Sequence, residues 1–307
     1  MANLTAREPT RIPGRLSVMR LRWRLLVLVL LAACAEPTLS PGTGGTPRYE
    51  ASGAPRYEAS GMVLESAEHG PELCLGAVGA SYPPRCGGVP VAGWDWNEVS
   101  NETRSNATIW GQYRVVGTFD GTTFTPTEPP GPPGTDAPEP PEITTPCPAP
   151  EGGWKQVNPA LASEAAFSAA ADAAQKEPDF AGLWIVDPNT PTSPNEDYVQ
   201  DMSKVILNAA FTGDLERHET ELREIWGGAL CVTKHKYTLA KLDGIMNELM
   251  GGVAKQLGLQ PLGADGDEYQ GIVTFDVVFG DAEDQKALDA RYGTGLVVMR
   301  SAIRPVS

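Results

Sequence analysis

Lys204-Val205-Ile206-Leu207-Asn208-Ala209-Ala210-Phe211, continued by Thr212-Gly213-Asp214 and Leu215 to Trp226, decides how this chain folds. The first eight residues are an apolar run of strand length. Leu215, Leu222, Ile225 and Trp226 then recur at helical spacing, with Thr212 as candidate N-cap and Gly227-Gly228 as the stop. Leu230-Cys231-Val232-Thr233 reads as the next strand. Strand, helix and strand in that order make a β-α-β unit, which buries its apolar sides when helices pack on a sheet.

The alternation extends both ways. Upstream, Leu183-Trp184-Ile185-Val186 reads as a strand before a polar loop. Downstream, Leu239, Leu242, Ile245, Met246, Leu249, Met250 and Val253 keep a helical period behind a threonine. Ile272 to Phe279 alternates as a strand, Asp281 caps a helix ending at Tyr292-Gly293, and Leu296 to Ile303 supplies the last strand. Residues 151–307 are therefore expected to form an α/β sandwich. Residues 61–126 carry short β runs instead, with Asp120-Gly121 as a hairpin turn between β-formers. They predict a small all-β domain, a barrel or sandwich, with an OB-like barrel as one form. Between the two, residues 127–150 hold ten prolines and read as a semi-rigid spacer. Residues 34–60 read as a tether, in which Pro-Arg-Tyr-Glu-Ala-Ser-Gly occurs twice, at 47–53 and 55–61. A tandem copy in a spacer points to replication slippage.

The amino terminus carries an address. Arg20, Arg22 and Arg24 precede the apolar run Leu25 to Leu31, then Ala32, Ala33 and Cys34. Basic, apolar and small-residue segments in that order make a secretory signal, here residues 1–33. The run is too short to span a bilayer, which takes about 20 residues of helix. Leu31-Ala32-Ala33-Cys34 resembles the lipobox of bacterial lipoproteins. The resemblance implies cleavage before Cys34, a diacylglyceryl group on its thiol, and anchoring to the cell membrane. Translation from Met19 would give a more ordinary signal.

Removing residues 1–33, with six arginines and one glutamate, moves the net charge from −15 to −20. Such acidity excludes nucleic acid as a partner, because that binding rests on Lys and Arg at phosphates. It equally excludes a basic membrane-binding face. With Cys34 set aside, Cys74, Cys86, Cys147 and Cys231 remain, an even set that reads as two disulfides in an oxidising compartment. Three pairings are possible. Local pairing of Cys74 with Cys86 is the simplest, leaving Cys147 for Cys231. No Cys-x-x-Cys occurs, and His69, His218 and His235 lack ligand spacing, so neither metal nor cofactor is expected.

Two further resemblances bear on function. Pro178-Asp179-Phe180-Ala181-Gly182-Leu183-Trp184-Ile185, the β-α-β order after it, and Thr233-Lys234-His235-Lys236-Tyr237-Thr238 together resemble pro-domains of secreted serine proteases of the α-lytic protease and streptogrisin type. The resemblance spans about 178–303 and implies kinship of fold. No protease domain follows before Ser307, so protease activity is not carried over. Glu65 to Trp96, with Gly93-Trp94-Asp95-Trp96, resembles uncharacterised exported actinobacterial proteins, which implies an envelope setting.

Candidate site residues are few. His69 beside Glu68 and Glu72 is the best general-base candidate, in a turn that favours plain exposure. His218 among Glu216, Glu219 and Glu221 is expected on a solvated helix face. Asp265, Asp267 and Glu268 are hard-cation donors without EF-hand spacing, so calcium stays an open alternative to a loop. Trp94, Asp95 and Trp96 alternate, which would set both indoles on one strand face, as core or as a platform for a glycan or peptide. No catalytic constellation stands out. The expectation is a lipid-anchored, non-catalytic envelope protein that binds or scaffolds an envelope protein or glycan. The alternative is a regulator of an extracellular serine protease.

Overall fold

The computed structural model describes residues 55–134, 142–190 and 198–306. The chain divides into two units, 1–46 and 47–307, and every described residue belongs to the second. The signal-like segment, Cys34 and the first copy of the repeat lie outside the described residues.

The fold is mixed α and β. Its amino-terminal part is a seven-stranded antiparallel sheet built on two long strands, β1 (Tyr57–Glu65) and β5 (Thr108–Phe119). Beside them lie β2 (Glu72–Cys74), β3 (Val89–Pro90), β4 (Thr103–Ser105) and β6 (Phe124–Pro126). The order is β3-β2-β1-β5-β4, with β6 also on β5. β5 and β6 form the expected hairpin, whose turn is tied by Asp120 accepting from the amides of Thr122 and Thr123. Among the described residues the sheet does not close into a full barrel.

Two boundaries move. β1 opens with the second copy of the repeat, so Tyr57 to Ser60 belong to the sheet and not to a tether. Alternation explains this: Ala59 and Val63 point into the core, while Glu58 on the other face pairs with Arg114. The spacer also joins the sheet, because Arg114 and Gly131 exchange backbone hydrogen bonds. The seventh strand comes from the far end of the chain: Arg304–Pro305 pairs with β1 at Glu58 and Tyr57. Val278 and Ile303 are buried in the same core as Val63, Leu73, Val115 and Phe124. The carboxyl-terminal half therefore completes the amino-terminal sheet.

Residues 164–301 form one pattern twice. The first copy runs α1 (Glu164–Gln175), β7 (Phe180–Val186), β8 (Ile206–Phe211), α2 (Leu215–Ile225) and β9 (Ala229–Lys234). The second runs α3 (Leu239–Glu248), which continues through the π-helical turn Leu249–Val253 into α4 (Ala254–Gln256), then β10 (Pro261–Asp267), β11 (Ile272–Val277), α5 (Ala282–Tyr292) and β12 (Val297–Ser301). Arg304–Pro305, β13, follows. Each copy holds a three-stranded sheet with one antiparallel and one parallel pair, the parallel pair joined by a helix of 11 residues. The parallel registers match: Leu207 pairs with Leu230 in the first copy, and Val273 with Val297 in the second. The apolar strand faces meet the helices in two cores. Leu207, Ala209, Phe211 and Leu230 pack with Leu222 and Trp226, and Val273, Phe275, Val277 and Val297 with Leu242, Ile245 and Leu288.

Helix starts follow local chemistry. Asp281 and Asp284 form a capping box on α5, and Thr238 caps α3. α2 starts at Asp214, in the left-handed region at φ 49°, and not at Thr212. Thr212 instead donates its amide to the carbonyl of Asp179.

Exposed strand edges are closed by side chains, the usual defence against edge-to-edge pairing. Val273 donates to the Leu296 carbonyl, so Val297 and Met299 turn their polar groups away from β11. Gln285 covers them, its Nε2 donating to Val297 O (2.8 Å) and its Oε1 accepting from Met299 N (2.9 Å). Glu268 accepts from the Leu183 amide on β7 (2.8 Å), and Arg223 donates to the Gly228 and Leu230 carbonyls beside β9. A Cβ on Gly182 would lie 2.8 Å from the Glu268 carbonyl oxygen, so β7 approaches the β10–β11 turn more closely than a side chain allows.

Candidate functional site

Both disulfides are present as paired above, Cys74 with Cys86 and Cys147 with Cys231, at Cα separations of 5.9 and 5.8 Å. They indicate an oxidising, extracytoplasmic environment. Among the described residues, no helix is long and apolar enough to cross a membrane.

The second disulfide shapes the outer face of the first repeat's sheet, the side away from its helices. Residues 142–157 cross that face as a strap without helix or strand. Thr144 accepts from the Trp184 indole (3.1 Å), Cys147 is bonded to Cys231, and Trp154 packs on Ile206 and Ala229. Among the described residues, the equivalent face of the second repeat carries no such strap and borders Ser60, Leu75 to Ala77 and Gly134. Its residues follow from the register: Gly263, Asp276 and Arg300 form one row across the three strands, and Asp265, Thr274 and Val298 the next.

This face and the amino-terminal sheet bound a cleft of about 790 Å³. Asp265, Asp276, Arg300 and Leu262 line one side, and Ser60, Leu75, Gly76 and Ala77 the other. Arg300 grips Asp276 through two parallel hydrogen bonds of 2.7 and 2.8 Å, and that carboxylate holds the guanidinium above its ordinary pKa. Arg304 at the rim lies 3.7 Å from Glu58, which also accepts from Arg114. Asp265 lies within electrostatic reach of the Arg300 guanidinium and adds to its upward shift. The cleft thus combines apolar side chains with two carboxylates, Asp265 and Asp276, and two guanidiniums, Arg300 and Arg304, which is the composition of a recognition surface.

The other sequence candidates disperse. Trp94 and Trp96 lie outside the strands, Trp96 in a turn, and both set their rings against Tyr113, at 5.1 and 6.3 Å between centroids. The Trp96 indole donates to Glu65 (2.6 Å), and Asp95 accepts from the amide of Asn97. His69 lies at the surface, its Nδ1 2.9 Å from the Gly70 carbonyl and 3.7 Å from Glu72 Oε1, while the other Glu72 oxygen accepts from the Gly88 amide. Glu68 donates its amide to Ser66 Oγ. The acidic trio separates: Glu268 serves β7, Asp267 accepts from Gln270, and Asp265 faces the cleft. These directions do not converge on one cation.

His218 is the main correction. It is 1% exposed, stacked on Phe211 with centroids 3.7 Å apart, and its Nε2 lies 3.0 Å from Asp179 Oδ2. Glu216 and Glu219 do lie on the solvated face. The reason is in the spacing, since His218 precedes Leu222 by four residues and Ile225 by seven, on the apolar face. Glu177, His218 and Glu221 offer ligand atoms within 4.8 Å of one another. Arg217 already spans the carboxylates, at 2.9 Å from Glu177 and 2.8 Å from Glu221, and supplies the positive charge itself.

Sequence reasoning passed over His235, which stacks on Trp184 at 5.9 Å and leaves Nδ1 buried without a partner. Burial holds its pKa below the ordinary histidine value, partly opposed by Asp267. No protein-family model matches this chain, and no curated protein matches it.

Proposed function

We propose that this is a lipid-anchored cell-envelope protein whose folded unit binds a partner without catalysis. The anchor is Cys34, to which the lipobox-like Leu31-Ala32-Ala33-Cys34 assigns a diacylglyceryl group. A single acyl chain holds a protein only marginally, at about 0.8 kcal/mol per buried methylene, so a two-chain group is what makes such attachment durable. The observation that carries the binding role is the cleft, about 790 Å³ in volume and lined by apolar side chains and paired charges. Its Arg300–Asp276 fork is built for fixed geometry and not for proton transfer.

The test is localisation together with binding. In a bacterial host the native chain should fractionate with membranes and take up labelled palmitate. Cys34→Ala should do neither, and should be recovered as folded protein from the extracytoplasmic fraction. Palmitate uptake that survives Cys34→Ala refutes the anchor. Turnover of a peptide or glycan substrate panel, abolished by one point substitution, refutes the non-catalytic role.

A further inference from the structure

A second group of ionisable side chains gathers where the turn between α1 and β7 meets α2. His218 and Glu221 stand three residues apart on α2, one turn along the same face. Glu177 comes from the turn, and Asp179 is fixed beside it by its carbonyl, which accepts from the Thr212 amide. One ligand atom from each of Glu177, His218 and Glu221 lies within 4.8 Å of the others. The same three residues border a cavity of about 40 Å³ whose remaining wall is apolar, including Ala174, Phe211 and Leu222. About 10–15 Å³ of such volume holds one water molecule, so the cavity accommodates an ion with a water ligand.

We propose that Glu177, His218 and Glu221 bind a zinc ion, with Asp179 orienting the imidazole. Imidazole together with carboxylate oxygen suits zinc, whereas calcium and magnesium take oxygen ligands. The ring is 1% exposed and lies flat on Phe211, so its plane is fixed. Its Nε2 stands 3.0 Å from Asp179 Oδ2. A metal-bound histidine donates its other N–H to such a carboxylate, which turns the remaining lone pair toward the ion. Here that lone pair belongs to Nδ1, which lies 3.9 Å from Glu177 Oε2, too far for a hydrogen bond. Two atoms bound to one zinc stand no more than about 4.2 Å apart, so the three ligands need to close by only about half an ångström. Glu221, with its side chain 52% exposed, has the freedom to make that movement. Charge favours the ion as well. Glu177, Asp179 and Glu221 carry three negative charges, and Asp179 Oδ1 is buried without a hydrogen-bond partner. Arg217 balances one of them, bonded to Glu177 and Glu221 and 3.1 Å from His218 Nε2. A carboxylate has lone pairs for a guanidinium and an ion together, so Arg217 becomes the outer clamp on two of the ligands. The bound ion would pin α2 to the turn that starts β7.

Zinc chloride is the probe, added to the folded, exported chain carrying Cys34→Ala. Titration calorimetry should show one saturable site in the micromolar range, and magnesium chloride should show none. The chain holds three histidines, His69, His218 and His235, so ring nitrogen NMR identifies the ligand. Zinc should move the Nδ1 signal of His218 and leave the other two rings in place. Asp179→Asn should weaken binding about 10–100-fold, the usual effect of losing such a partner, and should alter the His218 tautomer signals before zinc is added. Glu177→Gln and Glu221→Gln, each at a partly exposed position, should weaken binding at least as much while the circular dichroism stays the same. His69→Gln should leave the affinity unchanged. Absence of saturable zinc binding, binding that survives both glutamine variants, or a zinc-dependent shift at His69 or His235 in place of His218 overturns the proposal. None of these results bears on the lipid anchor or on the cleft.

Discussion

Opening the Cys147–Cys231 bridge should destabilise the folded unit more than opening Cys74–Cys86, and the difference can be worked out from the closed loops. A cross-link restricts the unfolded chain, and the loss of loop entropy grows with the logarithm of loop length. A sequence separation of 84 corresponds to about 4.5 kcal/mol at 25 °C by that scaling. A separation of 12 corresponds to about 2.8 kcal/mol. The native-state consequences point the same way: Cys231 is 1% exposed beneath the strap, and the bridge fastens residues 142–157 over Ile206 and Ala229. The assay is urea unfolding followed by tryptophan fluorescence, comparing Cys147→Ala/Cys231→Ala and Cys74→Ala/Cys86→Ala with the parent. With a urea slope near the upper end of the usual range, about 3 kcal/mol per molar, the midpoints should fall by about 1.5 M and about 1 M. Sharing of one core by Val278, Ile303 and the amino-terminal sheet implies that both pairs act on one cooperative transition. Equal shifts, or a larger one from the short loop, would refute the reasoning that the strap is a fastened part of the fold.

Gln285→Ala should cost about 1–2 kcal/mol, because Val297 and Met299 lose the side-chain hydrogen bonds that cover the edge of β12. The same variant should self-associate in size-exclusion chromatography, and a strictly monomeric, fully stable variant would remove the edge-cover argument. His235 sets a pH dependence: with its folded pKa depressed by burial, the unfolded chain takes up the proton first as pH falls. Its contribution is complete above the unfolded value of about 6.5 and is lost between there and the lower folded pKa. Urea midpoints should therefore fall from pH 7.5 to pH 5, and His235→Asn should flatten that part of the profile. An unchanged slope in the variant would assign the effect to another group.

Much of the local structure was legible in the residues themselves. The Asp120-Gly121 hairpin, the caps at Thr238 and Asp281, and the alternation of Val273, Phe275 and Val277 are short-range signals, and each forms as its spacing predicts. His218 shows a signal that was available and misread. Its flanking glutamates suggest solvent, but its distance from Leu222 and Ile225 places it on the apolar face, where Phe211 and Asp179 receive it. Tyr57 to Gly61 hid for a similar reason, since a tandem copy among prolines and glycines looks like spacer. Its alternation of Ala59 with Glu58 and Ser60 already had the period of a strand. Asp265 could be named as an acid, but not as one facing a cleft, because Leu75 to Ala77 on the other wall lie far away in the chain.

Taken alone, the sequence pointed to the compartment through its cysteine count, favoured one of three cysteine pairings, and determined the kind of element that many segments form. These depend on composition, counting and periodicities a few residues long. Tertiary structure decided that Arg304–Pro305 completes the first sheet, that one αββαβ pattern occurs twice, and that one outer face is strapped while its counterpart borders a cleft against the amino-terminal sheet. A strand's own pattern shows that it has two faces. What covers each one is set by contacts between residues distant in the chain, and those leave no period behind.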